Sequence, residues 1–350
     1  FKSGKSFYEN SNYVYAPPWI YTLYTLDLIS LPFLENNYFI QNIPGTFYRF
    51  KIVLFLSLID VSIFYLLYRN YSLKIGLLYL INPISIILTG HHNAFNNYAI
   101  LFGFLSVILY GEINKEKLTL KKIFAIFLFG LSIAIKHILI FFIFWWAFKE
   151  KKIINKFAVI FIPIFVFVFS FIPFLPEDSA NIINKLLYYA KHETGPFWKM
   201  FLPEILNRYL SFFTLASLLL IFLGFLLVNK KLKDSFYLYL IAITAFAPQM
   251  YTQYLIIPLI AIAVYWNFKL AIFTIITTFL FLIDGDQLSI QYLVELFNWD
   301  LRSTRIVFYP LVLILLIEFF ERSFGYKNFY NQINLVKNSI IDKVKKSLSM

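Results

Sequence analysis

Lys136 and His137 lie next to each other inside an otherwise apolar run, Leu131–Phe148. A charged side chain at membrane depth costs a few kcal/mol or more, so such residues commonly serve a function. An ammonium group that faces a cavity can bind a phosphate, and a neighbouring imidazole can assist it. The alternative is a lysine whose amine extends to the membrane surface. We treat the pair as a candidate phosphate-binding site.

A second polar segment, His91–Asn97, follows the end of an apolar run. His91 and His92 could assist in binding a phosphate, whereas Asn93 and Asn97 suit sugar hydroxyls. The alternative is a polar connection between helices with no ligand. Adjacent histidines do not face the same way on a helix, so we predict no metal site here.

Amides and a carboxylate occur in two further polar segments. Gln249 and Gln253 interrupt an apolar stretch, where buried amides need hydrogen-bond partners and sugar hydroxyls are suitable ones. Glu193 lies in the polar segment Pro176–Pro203, which could cover a cavity. These residues extend the candidate site towards a sugar or an acceptor.

Metal and nucleotide chemistry have little support in this sequence. Asp284-Gly285-Asp286 resembles a metal-ligating pair but equally suits a turn. The chain has no cysteine, which excludes disulfide and thiolate chemistry. It also has no Gly-rich phosphate loop and no zinc signature, so we expect no nucleotide hydrolysis. We expect neither a metal nor another cofactor.

The elements that position these residues are predicted to be membrane helices. The chain is 60% hydrophobic and 14% charged, whereas an ordinary soluble domain is about a quarter charged. Its apolar runs predict an all-α, polytopic transmembrane helix bundle within residues 1–320. The runs are Ile52–Tyr68, Ile75–Thr89, Phe95–Tyr110, Ile123–Phe148, Phe157–Phe174, Tyr209–Val228, Phe236–Ala247, Leu255–Trp266, Leu270–Ile283 and Ile306–Phe320.

Lysines and arginines orient these spans. Of the 31 such residues, 20 lie in segments that we place in the cytosol, because short cytosolic loops carry the excess of positive charge. The net charge of +12 therefore indicates membrane topology, and we expect no nucleic-acid partner. The segments are Arg69–Lys74, Gly111–Lys122, Lys149–Lys156, Asn229–Asp234, Asn267–Lys269 and the tail from Glu321.

One run has basic clusters at both of its ends. If Ile123–Phe148 crossed once, one of these clusters would lie outside. A hairpin with its tip near Lys136-His137 keeps both clusters in the cytosol and brings the total to about 11 crossings. Each arm would be about 18 Å long, against a hydrocarbon core of about 30 Å. Such a tip persists only if protein buries it or a wet cavity faces it.

Both ends of the chain are predicted to carry helices that lie along the membrane. Pro17–Leu34 is apolar but short, and we expect an interfacial helix on the outer side, with Trp19, Tyr21 and Tyr24 at the headgroup level. In the cytosolic tail, residues 321–350, the segment Asn328–Leu348 has apolar residues at helical spacing flanked by lysines. This pattern predicts a basic amphipathic helix on an anionic leaflet.

The order of these motifs resembles the GT-C superfamily of membrane glycosyltransferases, especially the glucosyltransferases of lipid-linked oligosaccharide assembly and their prokaryotic relatives. The similarity extends over most of the chain. Its strength lies in the order of the motifs, because each motif alone is weak. The matching segments are Tyr13–Trp19 with its Tyr15, Pro17, Pro18 and Trp19, then Asn82–Asn97, Leu131–His137 and Ala247–Pro258, with a fainter similarity at Thr194–Trp198.

The resemblance implies a multi-pass protein of the cell membrane with an extracytoplasmic active site. It implies inverting transfer of a sugar from a polyprenyl- or dolichyl-phosphate donor to a glycan or protein acceptor. Residues expected at the donor phosphate are Lys136, His137, His91 and His92. Residues expected at the sugar or acceptor are Asn93, Asn97, Gln249, Gln253 and Glu193.

The sequence departs from the family pattern at two places. The family's general base is an Asp that precedes the Tyr-Pro-Pro element, and no acid in Phe1–Tyr8 fits it, so we expect this residue upstream of Phe1. The family's His-Glu-Lys is replaced by Tyr251-Thr252-Gln253. Alternatives are a lipid-linked glycan flippase or transporter, a polysaccharide polymerase or ligase, and a catalytically inactive relative with a scaffolding role.

Overall fold

A computed structural model describes residues 16–29, 46–111, 117–186, 212–246, 252–283, 290–297 and 301–325. These residues form helices and turns, and no strand occurs among them, which confirms the all-α prediction. The α-helices are α1 Pro18–Leu28, α2 Thr46–Asn70, α3 Leu73–Leu80, α4 Pro83–Gly90, α5 Asn96–Gly111, α6 Leu120–Ile135, α7 Phe142–Lys149, α8 Ile153–Phe169, α9 Leu175–Leu186, α10 Phe212–Leu226, α11 Leu232–Ala245, α12 Leu259–Val264, α13 Phe268–Ile283, α14 Gln291–Leu296 and α15 Leu301–Phe324.

Two helical segments of the described chain are long and apolar enough to cross a membrane. They are α2 and the stretch Ile153–Phe174, which contains α8. The helices α3 and α4 together make a third if the bent pair is one span. Four further apolar segments are shorter, namely Asn96–Gly111, Phe213–Leu226, Thr252–Val264 and Phe268–Ile283. A membrane protein is therefore supported, while the count of about 11 crossings stays a prediction.

The apolar run Ile75–Thr89 is broken at Asn82-Pro83 into two helices, α3 and α4. The axes of α3 and α4 differ by 46° across this break. Pro83 lacks a backbone donor and suits the first position of a helix, and Asn82 Oδ1 caps α4 by accepting from the amide of Ile84 at 3.0 Å. The break thus begins a new helix that leads directly into the polar segment His91–Asn97.

The predicted hairpin is also present, and its tip is Lys136. The backbone of Lys136 is extended (φ −155°, ψ 123°) and ends α6. The ring centroids of Phe129 and Trp146 are only 5.4 Å apart, although 17 residues of straight helix would separate them by about 25 Å. The chain therefore reverses direction between α6 and α7.

The α6 arm of the hairpin is held closely by its neighbours. Ser132 Oγ donates to the carbonyl of Ala99 in α5 at 2.6 Å. A Cβ at Gly130 would lie 2.8 Å from Val166 Cβ and 3.0 Å from Pro163 Cα in α8, so this crossing requires glycine. The last turn of α6, and with it Lys136, is therefore fixed against two helices.

Five of the six segments that we predicted to be cytosolic come together at one end of the bundle: Arg69–Lys74, Lys149–Lys156, Asn229–Asp234, Asn267–Lys269 and the start of the tail from Glu321. We call residues 69–74, 149–156, 229–234, 265–269 and 318–322 the basic end. Lys149 Nζ donates to the carbonyls of Leu227 and Lys230 at 2.7 and 2.9 Å. Lys233 Nζ donates to Asn70 Oδ1 at 3.1 Å. The contacts confirm that these segments share one end, and the side of the membrane that this end faces stays a prediction.

Two further interactions close the basic end. The fully buried carboxylate of Glu318 accepts from Arg322 Nε at 2.7 Å and lies 3.3 Å from Lys269 Nζ, which ties α13 to α15. The hydroxyls of Tyr71 and Tyr237 are 2.8 Å apart. Burial raises the pKa of Tyr71 to about 12, so its hydroxyl stays protonated at neutral pH.

Candidate functional site

The helix α1 lies at the end of the bundle opposite the basic end, and it packs against the other helices through Trp19. The Trp19 ring stacks on Phe95 with centroids 4.5 Å apart, and Leu56 and Ile135 belong to the same buried cluster. Trp19 is only 6% exposed, so its ring packs between helices, while the depth of α1 in the membrane stays a prediction. Pro17 and Pro18 begin this helix as expected.

The segment between α4 and α5 makes a tight turn beside Trp19. Asn93 has a left-handed backbone (φ 54°), which asparagine tolerates better than most residues. The amide of Ala94 donates to the carbonyl of Leu88 at 2.9 Å, and Arg49 donates to the carbonyl of His91. The side chains of this turn are thus held at the start of α2 and α5.

Lys136 lies directly against this turn. Its Nζ is 4.7 Å from the centroid of the Phe95 ring and 5.7 Å from that of Tyr254. The residue is 2% exposed, so the amine does not extend to the surface. His137, the next residue, is half-buried and begins the turn of 3-10 helix that follows. The hairpin tip therefore places a cation against aromatic rings from two other elements.

The segment that contains Gln253 lies beside the same turn and Lys136. Asn96 Nδ2 donates to the carbonyl of Gln253 at 2.7 Å, which connects α5 to the 3-10 helix Thr252–Ile256. Together with Tyr254, this contact brings the fourth segment of the sequence resemblance beside the other three. We call residues 17–20, 91–97, 136–138 and 252–256 the Lys136 site.

A buried carboxylate beneath this site was missed in the sequence. Asp60, in the middle of α2, is 7% exposed. Its Oδ1 accepts from Tyr79 at 2.8 Å and from Asn97 at 2.6 Å. Its Oδ2 accepts from Ser85 at 3.1 Å and from Thr89 at 2.8 Å. Four uncharged donors from three neighbouring helices therefore hold one carboxylate inside the apolar bundle.

Asp60 fixes both sides of the turn at 91–95, because Thr89 precedes the turn and Asn97 follows it. The amide of Asn97 is 2% exposed and committed to the carboxylate. This contact gives Asn97 a different role from the sugar contact that the sequence suggested. The sequence did contain a signal for Asp60. A single Asp inside a predicted membrane span is energetically unfavourable, and such residues commonly serve a function.

Several predicted residues lie outside the described part of the chain. They include Tyr15, Glu193, Gln249, the acidic pair at 284 and 286, and the amphipathic segment of the cytosolic tail. Among the residues that the structure describes, no group of three or more His, Cys, Asp or Glu side chains could hold a metal ion.

Comparisons with known proteins add no assignment. No family model matches the sequence, and neither a curated protein nor a solved structure matches it significantly.

Proposed function

We propose that the protein is a membrane glycosyltransferase that moves a sugar from a polyprenyl- or dolichyl-phosphate donor to an acceptor, with inversion at the sugar carbon. One observation carries the proposal: segments far apart in sequence, chosen for their resemblance to the GT-C superfamily, come together around a buried lysine. The packing of apolar helices alone does not predict contacts between these particular residues.

In the proposed reaction the acceptor hydroxyl oxygen attacks the anomeric carbon as the bond from that carbon to the phosphate oxygen breaks. The hydroxyl proton passes to a carboxylate, and polyprenyl phosphate leaves with the bonding electrons. The negative charge that develops on the phosphate needs a cation already in place. Lys136 supplies it, and His137, the next residue, and His92 of the adjoining turn are the further candidates; Arg49, which donates to the carbonyl of His91, lies at the edge of the site.

The environment of Lys136 suits a group that binds an anion. Phe95 and Tyr254 offer ring faces to the ammonium, and such contacts are worth about 0.5–2 kcal/mol. A phosphate oxygen makes a stronger, charge-assisted bond. A lipid phosphate can therefore displace the rings from Lys136 with a gain in free energy.

The test is a turnover assay with the purified protein in lipid vesicles. The acceptor source is a glycan and lipid extract of the producing cells, and a chelator is present throughout. We expect release of polyprenyl phosphate from a monophosphate-linked sugar and none from the diphosphate-linked sugar. Turnover of the diphosphate donor alone would favour a polysaccharide polymerase or ligase, and turnover of neither donor would contradict the proposal.

The side of the membrane can be tested with two matched glycines. Gly90 ends α4 at the Lys136 site and Gly111 ends α5 at the opposite end, and an added Cβ meets no atom within 4 Å at either position. The chain has no cysteine of its own. In intact cells we expect an impermeant maleimide to label Gly90→Cys, and to label Gly111→Cys only after permeabilisation. The reverse pattern would place the site in the cytosol and contradict an extracytoplasmic reaction.

A further inference from the structure

Within the described part of the chain, three side-chain polar atoms of residues 91–96 are buried without a hydrogen-bond partner: His91 Nδ1, Asn93 Oδ1 and Asn96 Oδ1. A buried polar atom that lacks a partner costs about 1–3 kcal/mol, and native structures contain few of them. Three such atoms in six residues, next to Lys136, therefore require an explanation.

Asn96 is the best defined of the three. It is 0% exposed, and its amide nitrogen is held by the carbonyl of Gln253 at 2.7 Å. A carbonyl can only accept, so this bond fixes which end of the amide is nitrogen. The oxygen that lacks a partner is therefore an acceptor.

The turn that leads into Asn96 is held on both sides. Asp60 binds Thr89 before the turn and Asn97 after it, and Phe95, next to Asn96, is clamped between Trp19 and the Lys136 ammonium. Acceptors held in this way need no reorganisation when a donor arrives, which is the condition for strong discrimination.

We propose that Asn96 is a specificity-determining residue whose Oδ1 accepts a hydrogen bond from a hydroxyl of the transferred sugar, and that Asn93 Oδ1 and His91 Nδ1 bond further hydroxyls of the same sugar. The two amide oxygens repel a phosphate, so they select a hydroxyl-bearing group and leave the anion to Lys136. The sequence placed His91 at the phosphate, and we assign it to the sugar because its Nδ1 lies in the same segment as these oxygens. The inference rests on the proposed function.

The test compares equilibrium binding of polyprenyl-phosphate glucose, polyprenyl-phosphate mannose and bare polyprenyl phosphate to the protein in nanodiscs. We expect the wild type to bind at least one sugar-bearing lipid about tenfold or more tightly than the bare lipid. In Asn96→Ala and in the volume-conserving Asn96→Leu this preference should fall to about twofold, with affinity for the bare lipid unchanged. Bare-lipid binding also reports that each variant is folded.

Asn155→Ala is the matched control. Asn155 is also 0% exposed, donates its amide nitrogen to Glu150 at 3.1 Å, and has an Oδ1 without a partner, but it lies at the basic end. Its replacement should leave the preference for sugar intact.

The outcomes separate the two proposals. If the wild type binds sugar-bearing and bare lipids alike, or if both Asn96 variants keep the preference, the hydroxyl subsite is wrong while lipid-phosphate recognition stands. If the wild type binds none of the three lipids, the proposed function fails and the subsite fails with it.

Discussion

Replacing Lys136 with methionine should reduce sugar transfer by about 10²–10³-fold, the loss seen when one preorganised group that stabilises developing charge is removed. Methionine keeps the unbranched apolar stem, so the packing against Phe95 and Tyr254 is retained. Turnover in vesicles measures the loss of transfer, and thermal unfolding in detergent checks that the variant remains folded.

Lys122 offers a matched control for this substitution. It is 1% exposed and lies 4.9 Å from the centroid of the Tyr110 ring, but it is far from the site, in the hairpin arm that begins near the basic end. Lys122→Met should leave transfer within about twofold of the wild type, since it removes no charge from the site. Equal losses in both variants, or normal turnover in Lys136→Met, would show that Lys136 does not bind the leaving phosphate.

Replacing Asp60 with alanine should have the largest effect on stability. Tyr79 and Asn97 would lose their acceptor in an apolar interior, at about 1–3 kcal/mol for each unsatisfied donor. Ser85 and Thr89 lose less, because their hydroxyls can turn to a carbonyl one helical turn earlier. We expect a loss of about 2–4 kcal/mol in the free energy of unfolding and a marked loss of transfer, measured by denaturation and turnover.

Asp60→Asn separates the charge from the geometry. The amide oxygen can accept from Tyr79 and Asn97, while the amide nitrogen donates to the hydroxyl oxygens of Ser85 and Thr89, which act as acceptors. This variant should therefore lose less than half of the stability that Asp60→Ala loses. A loss as large as that of alanine would show that the negative charge itself is required.

A cysteine placed in the turn reports whether Asp60 holds it. Ala94 is 4% exposed in the turn, and Ala263 is 2% exposed in α12, so cysteine at either should react slowly with maleimide. In the Asp60→Ala background we expect Ala94→Cys to react about tenfold faster or more, with Ala263→Cys unchanged. A parallel increase at both positions would indicate global unfolding, and no increase at either would show that Asp60 does not anchor the turn.

Where the sequence predicted the helices correctly, their signals are local. Long apolar runs define α2 and α8, Pro83 defines the break before α4, and the basic clusters around Ile123–Phe148 require a hairpin. The rule that basic loops lie on one side of the membrane also predicted correctly that the basic segments share one end of the bundle. These features depend on residues close together in the chain, or on a count of charges per segment.

The details of the site depend on contacts that no local pattern contains. Asp60 meets Asn97 across 37 positions, and Asn96 meets Gln253 across 157. Trp19 has the composition of an interfacial anchor, yet helix packing buries it beneath α1. The assignment of Asn97 to Asp60, and the proposal of Asn96 for the sugar, therefore needed the fold.

The most direct measurement for the central claim is photo-crosslinking with a polyprenyl-monophosphate sugar that carries a photoreactive group on the sugar, followed by peptide mapping. The account predicts crosslinks within residues 91–97, 136–138 and 252–256 that an excess of the unmodified donor abolishes. Crosslinks confined to the basic end, or spread over the lipid-facing helices and insensitive to competition, would contradict it.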